Sequence, residues 1–199
     1  LLSDCTYPSI SGTNVPRDFV EFPSQVMENC VLEPEMLKLY AFHYETGDVM
    51  PQALIDKIKK AGKFNQGFAT VEYMAASNLD MAWHTLIVEE ERDATTFENG
   101  VFEKIGLIPE IISRYRTTYF RHIVGGYSSG YYSYLWSEVL DADTFDAFKE
   151  NGIFDAKTAK SFRDNILSRG DTKDAMQMYV DFRGREPEIT PLLKKRGLE

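Results

Sequence analysis

The residues best suited to chemistry lie in two segments, one acidic and one rich in tyrosine and glycine. In the first segment, Asp18, Glu21, Gln25 and Glu28 recur at spacings of three, four and three residues. This spacing places them on one face of a helix. Such a face is either an exposed acidic surface, which periodicity alone favours, or a source of carboxylate ligands.

The acidic face requires a helix that begins close to Pro16. Thr13 or Asn14 suits the N-cap, and proline suits the first turn. Pro23 lies within the same helix and has no backbone N–H to donate. We therefore expect Pro23 to bend the helix and to free a carbonyl near Phe19.

The second segment, residues 119–136, concentrates aromatic side chains beside a pair of glycines. Three tyrosines would share one stripe of a helix that begins near Ser128: Tyr127, Tyr131 and Tyr134. An aromatic stripe is more often core than binding site, but buried phenol groups need hydrogen-bond partners. Gly125 and Gly126 would let a substrate or a backbone approach closely. A core role and a binding role both remain open on these residues alone.

The acidic segment resembles a known stretch of the M3 metallopeptidases, the thimet oligopeptidase family. In that family a His-Glu-x-x-His helix supplies two imidazoles and a general-base glutamate, and a Glu in the pattern Asp-Phe-Val-Glu completes a zinc site. That pattern occurs here at residues 18–21. The resemblance implies that Glu21 is a zinc ligand, which agrees with the three protein ligands of a typical catalytic zinc.

The tyrosine- and glycine-rich segment resembles the substrate loop of the same family. There a His and a Tyr donate hydrogen bonds to the oxyanion that forms when zinc-bound water attacks the peptide carbonyl. The resemblance implies that His122 and Tyr134 are these oxyanion donors. It also implies a set of residues that contact the peptide or brace the site: Tyr127, Tyr131, Gly125, Gly126 and Arg17.

The resemblance covers essentially all 199 residues and implies a mainly α chain, a single C-terminal portion (residues 1–199) of a zincin-like catalytic domain. The histidines form no His-Glu-x-x-His motif, and residues 1–4 resemble the sequence that follows that motif. We therefore expect the other ligands in the upstream part of the same polypeptide. The parent protein would bind one zinc ion and hydrolyse short peptides, whereas this chain alone would be inactive and bind zinc weakly.

Within the family, residues 11–19 look most like the peptidyl-dipeptidases, or dipeptidyl carboxypeptidases, which release C-terminal dipeptides. The competing interpretation is a non-catalytic helical module that binds peptides or a partner through its tyrosines. Loss of the upstream helices would also expose apolar surface and favour self-association.

The composition argues against several other kinds of partner and site. A formal charge of −9 argues against nucleic acid as a partner, because such binding depends on Lys and Arg. No apolar run approaches the length of a membrane span. Cys5 and Cys30 are predicted to be reduced and structurally passive. We expect the parent protein in the cytoplasm, with the periplasm as the alternative.

Helical periodicity and stop signals predict the remaining elements. We expect helices over residues 32–45, from Pro51 to Gly62, and over 68–90, the longest. Further helices should begin at Asp141 or Asp143, at Asp155 and near Asp171, followed by an irregular tail. His84 is interpreted as a packed side chain, and His43 as a residue near a helix end.

Overall fold

The computed structural model describes residues 2–199 and confirms the mainly α fold. Its α-helices, numbered in chain order, are α1 Arg17–Val20, α2 Phe22–Cys30, α3 Pro34–Tyr40, α4 Gln52–Gly62, α5 Gln66–His84, α6 Ala94–Lys104, α7 Ser133–Asn151, α8 Ala156–Phe162, α9 Ala175–Arg183 and α10 Thr190–Arg196. Between the described residues, β pairing is limited to one isolated bridge, Phe42 with Val49.

These elements form two compact units. The first combines the described residues up to Phe64 with Tyr134–Glu199, and the second is Asn65–Ser133. It stays a prediction that residues 1–199 are a single C-terminal portion of one catalytic domain. No helix in the described part of the chain is long and apolar enough to span a membrane.

The predicted interruption of the acidic helix is confirmed. The helix divides into α1 and α2 at Glu21, two residues before Pro23. Because Pro23 donates no backbone hydrogen bond, the carbonyl of Phe19 accepts from the N–H of Glu21 instead. Phe19 and Phe22, which flank this break, are buried, so the two short helices are held by their apolar faces.

The helix predicted over residues 32–45 is wrong beyond Tyr40. Ala41 leaves the helical conformation, with ψ of 75°, and the chain turns back on itself. Met50 N–H donates to the carbonyl of Ala41 at 2.9 Å, and His43 N–H donates to that of Asp48 at 2.8 Å. These bonds satisfy the backbone without a helix. The helix that follows Pro51 is confirmed as α4.

The long helix in the second unit is shorter than predicted. Helix α5 ends at His84 and its 19 residues are equalled by α7. Thr85, Ile87 and Val88 follow, and their β-branched side chains disfavour continuation of the helix.

The prediction that a helix begins at Asp141 or Asp143 is wrong. Both residues lie inside α7 and are fully buried. Lys195 pairs with Asp141 at 3.0 Å, and Arg185 pairs with Asp143. Basic partners from the C-terminal segment therefore neutralise two carboxylates that would otherwise be too costly inside a packed helix.

The last part of the chain is more helical than expected. Asp155 accepts from the backbone N–H of Thr158 and caps α8, as predicted. The next cap is Asp174, not Asp171, because a π-helical turn and a bend intervene. Residues 190–196, expected to be irregular, form α10.

The core of the first unit is aromatic. Phe22 packs edge-on against Phe162 and lies beside Tyr179, with ring centroids 5.9 Å apart in each pair. The buried members of this core are Phe19, Phe22, Val26, Leu140, Phe145, Phe148, Phe162, Ile166, Met178 and Tyr179. It joins α1 and α2 to α7, α8 and α9, and so supports the residue at the α1–α2 break.

Candidate functional site

Glu21, the predicted zinc ligand, is the residue at the break between α1 and α2. Its backbone carbonyl accepts from Gln25 N–H at 3.0 Å and from the Ser24 hydroxyl at 2.9 Å. The same hydroxyl lies 3.2 Å from the carboxylate Oε2 of Glu21. The side chain is half-buried. These bonds fix the backbone of Glu21, and the Ser24 hydroxyl contacts its carboxylate. Arg17, the first residue of α1, is exposed.

Helix α2 is joined to α7 by side chains that follow Glu21. Gln25 Nε2 donates to the backbone carbonyl of Tyr134 at 3.2 Å. One turn later, Asn29 Nδ2 donates to Asp141 Oδ1 at 2.7 Å. A bond from the Ser137 hydroxyl to the carbonyl of Asp18, at 3.2 Å, joins α7 to α1. These bonds hold the backbone of Tyr134 close to α2, the helix that follows Glu21.

The tyrosine- and glycine-rich segment is not the helix that its spacing predicted. Residues 121–132 form successive turns, and α7 begins only at Ser133. Ser128 donates its hydroxyl to the carbonyl of Ile123 at 2.6 Å. This bond stabilises a turn at the position where a helix N-terminus was expected. The three tyrosines therefore share no helical stripe, since only Tyr134 is in α7.

His122 lies in an aromatic cluster of the second unit. Its ring centroid is 5.1 Å from that of Tyr115, 5.2 Å from Tyr131 and 5.7 Å from Tyr127. The contacts with Tyr131 and Tyr127 are edge-on, which is the favourable arrangement for aromatic rings. This unit brings together His122 and two of the predicted peptide-contacting tyrosines.

The two tyrosines differ in exposure. Tyr131 is only 3% exposed, whereas Tyr127 is half-buried. Burial raises the pKa of the Tyr131 phenol far above its usual value, so that the group stays protonated. Gly125 and Gly126 are exposed, and a Cβ added at Gly125 would lie 3.3 Å from the carbonyl oxygen of Arg121. Tyr127 and the glycines are therefore the more accessible members of the segment.

Sequence reasoning missed a buried carboxylate that contacts this segment. Asp80 on α5 is 0% exposed. Its two carboxylate oxygens accept from the backbone N–H groups of Ser129 and Tyr131, both at 2.9 Å. No local signal marks the contact of Asp80 with this segment, because the two N–H donors are 49 and 51 residues further along the chain.

The other two histidines take no part in the predicted site. His84 Nδ1 lies 2.8 Å from Asp80 Oδ1, which agrees with its interpretation as a packed side chain. His43 lies in the turn after α3 rather than at a helix end, and its Nδ1 accepts from the N–H of Glu45 and Thr46. Its predicted interaction with a helix dipole is therefore wrong. Both cysteines are free thiols.

The predicted site residues fall into two groups, one in each unit. Glu21, Arg17 and Tyr134 lie in the first unit, whereas His122, Tyr127, Tyr131 and the glycine pair lie in the second. Across residues 2–199, no three His, Cys, Asp or Glu side chains converge so that they could hold a metal ion. This chain alone therefore does not fit a complete zinc site, and Glu21 is its one predicted ligand.

Comparisons with known proteins agree in one family. The family model described as Peptidase family M3 matches residues 1–198. Dipeptidyl carboxypeptidase of Escherichia coli is 44% identical, over 96% of this chain and 29% of that protein. Oligopeptidase A of the same bacterium is 38% identical, over 96% and 28%, and saccharolysin of Saccharomyces cerevisiae is 31% identical, over 94% and 26%. The chain thus spans less than a third of the length of these relatives.

Proposed function

Because this chain belongs to Peptidase family M3, as its two segments predicted, we propose that its parent protein is a zinc-dependent peptidase of short peptides. The chain would contribute the carboxylate of Glu21 and the groups that bind the peptide and stabilise the oxyanion. The two remaining zinc ligands and the general base would come from elsewhere in the parent. On this proposal the chain alone is inactive.

The observation that carries the proposal is the construction of the α1–α2 break. The break presents Glu21 half-buried, and Gln25, one turn later, is bonded to the backbone of Tyr134. A ligand and an oxyanion donor must both be held rigidly to be effective. The contacts in the first unit support such a pair, because three side-chain hydrogen bonds join α7, which carries Tyr134, to the two helices that flank Glu21.

His122 is the second proposed oxyanion donor. The edge-on rings of Tyr127 and Tyr131 restrict its imidazole. Such restriction favours electrostatic stabilisation, because the donor needs no reorganisation when charge develops on the substrate. Tyr127, Gly125 and Gly126 are proposed to contact the peptide backbone, with Arg17 as a further contact. Tyr131, being buried, would act mainly by packing against His122.

We further propose that the parent releases C-terminal dipeptides. The higher identity with dipeptidyl carboxypeptidase than with oligopeptidase A, 44% against 38%, supports this specificity. We also propose that the parent protein is cytoplasmic, with the periplasm as the alternative.

Substitution of the two proposed donors in the full-length parent tests their roles. Tyr134→Phe and His122→Gln should each lower kcat about a hundredfold or more, with a smaller change in KM, because these donors act on the transition state. The matched control is Tyr119→Phe, at an exposed phenol that precedes the turns of residues 121–132. Equal kcat values for all three variants and the wild type would refute the roles. Peptide binding by this chain with no hydrolysis by the parent would instead identify a non-catalytic module.

A further inference from the structure

The turns of residues 121–132 in the tyrosine- and glycine-rich segment, hereafter the loop, are bonded to helix α5. The bonds come from a buried carboxylate and a phenol on that helix. We propose that Asp80 and Tyr73 are positioning residues, which hold this loop in the shape that binds the peptide. The proposal rests on the proposed function for its consequence, but the anchoring itself is a property of the second unit. Neither residue belongs to the predicted motifs.

Asp80 accepts a backbone hydrogen bond from the loop on each of its two carboxylate oxygens. Oδ1 accepts from Ser129 N–H and Oδ2 from Tyr131 N–H, each at 2.9 Å. His84 Nδ1 is 2.8 Å from Oδ1 and also 2.8 Å from the backbone carbonyl of Asp80. Because a backbone carbonyl can only accept, Nδ1 of His84 donates to the carbonyl of Asp80. Two backbone N–H donors thus compensate the desolvation of this fully buried carboxylate, and the imidazole of His84 lies beside it.

Tyr73 provides a second attachment from the same helix. Its hydroxyl donates to the backbone carbonyl of Tyr131. Its ring stacks on the ring of Tyr131, with centroids 5.2 Å apart. Both backbone polar groups of Tyr131 are therefore bonded to α5, the N–H to Asp80 and the carbonyl to Tyr73. Since Tyr131 packs edge-on against His122, the attachment also bears on the position of the imidazole.

The loop has a conformation that needs such support. Ser129 adopts a φ of 53°, in the left-handed region that residues other than glycine disfavour. A strained residue persists when its surroundings hold it in place. The bond from its N–H to Asp80 is such a constraint.

Amide exchange measured by NMR on this chain tests the anchoring without any peptide. Asp80→Asn replaces one accepting oxygen by an NH₂ group that faces an N–H donor. The amides of Ser129 and Tyr131 should then exchange about tenfold faster or more, and their proton resonances should shift upfield. The matched control is Asp93→Asn, which removes the other aspartate charge of the second unit but still caps α6. Unchanged exchange at both amides in Asp80→Asn would overturn the proposal.

A second variant keeps the test decisive should Asp80→Asn unfold the unit. Tyr73→Phe deletes only the hydroxyl and keeps the stacked ring. It should raise the amide exchange rates of Tyr131 and its neighbours, while the amides of α6 stay protected. Unchanged exchange in the loop would contradict the anchoring role.

Kinetics of the full-length parent then test the consequence. Both variants should raise KM for a short unblocked peptide such as tetraalanine about tenfold and should also lower kcat, because the loop carries His122, whereas Asp93→Asn should change neither. A loosened loop with wild-type KM would refute the positioning role. A wild-type parent that hydrolyses no peptide would refute the proposed function, and the exchange rates alone would then decide whether Asp80 and Tyr73 anchor the loop.

Discussion

Two buried aspartates on α7 should respond differently to the same substitution, Asp→Asn. Asp141 and Asp143 are two residues apart, and both are 0% exposed. They differ in their partners. Asp143 accepts from Arg185 on both oxygens and from Tyr179 on Oδ2, whereas Asp141 has one buried oxygen, Oδ2, with no partner among the described residues. Comparing the two variants therefore shows how far the free energy of unfolding depends on the hydrogen-bond partners of a buried carboxylate.

Asp143→Asn should destabilise the chain strongly. Asp143 accepts from the Tyr179 hydroxyl at 2.5 Å and from Arg185 at 2.5 and 2.9 Å. Arg183 lies 3.5 Å away, with a side chain that is only 13% exposed. An asparagine would turn a donor towards one of these groups and remove the buried negative charge that Arg183 and Arg185 both face. The expected loss is about 3–5 kcal/mol, or roughly 10 °C in the unfolding midpoint of a chain of this size.

Asp141→Asn should change stability by no more than about 1 kcal/mol at neutral pH, because the remaining oxygen still accepts from Asn29 and Lys195. Burial raises the pKa of Asp141 above its ordinary value, and Lys195 only partly offsets this. The folded chain then holds its proton to higher pH than the unfolded chain. The wild type should therefore gain stability relative to Asp141→Asn as the pH falls through that raised pKa towards about 4.

Urea unfolding followed by circular dichroism measures both effects on the same scale. The free energies of unfolding of the wild type and the two variants should be compared at neutral and mildly acidic pH. Equal losses for the two variants would refute the reasoning, because it attributes the difference to the partners. A wild type that loses stability relative to Asp141→Asn on acidification would refute the assigned pKa direction.

Two further outcomes concern the backbone and the thiols. Gly170→Ala should destabilise the chain by about 3 kcal/mol or more, because the added Cβ would lie 2.1 Å from the carbonyl oxygen of Ile10 at a φ of 52°. Gly184→Ala, with a φ of 82° but open space, should cost only about 1 kcal/mol, and equal losses in urea unfolding would contradict the account. Burial raises the pKa of the Cys30 thiol, so iodoacetamide at pH 8 should alkylate it more slowly than free cysteine, with the rate rising at higher pH. Alkylation as fast as that of free cysteine would contradict the assigned burial effect.

Local signals predicted the elements whose ends depend on neighbouring residues. Pro23 divides the acidic helix because proline has no backbone N–H to donate, which is a property of the residue itself. Asp155 caps α8 because its partner is three residues away. The acidic segment and the tyrosine-rich segment also identified the family, since their residue patterns are contiguous.

Elements that depend on distant residues were not predictable in this way. Helix α7 runs through Asp141 and Asp143 because their basic partners lie 54 and 42 residues further along the chain. The contact of Asp80 with Ser129 and Tyr131 carried no local signal for the same reason. The spacing of three tyrosines favoured a helix, but the turn bonds of Ser128 and the left-handed Ser129 prevailed. Tertiary contacts outweighed periodicity in each case.

The role of Glu21 is the central claim, and zinc content with peptidase activity of the full-length parent tests it most directly. The wild-type parent should bind about one zinc ion and hydrolyse short unblocked peptides, as a typical catalytic site requires. Glu21→Gln should lose most of the bound zinc and of the activity, while Glu28→Gln, on the same acidic segment but exposed, should retain both. This chain alone should show neither. Stoichiometric zinc with turnover in this chain, or undiminished zinc and activity in Glu21→Gln, would contradict the account.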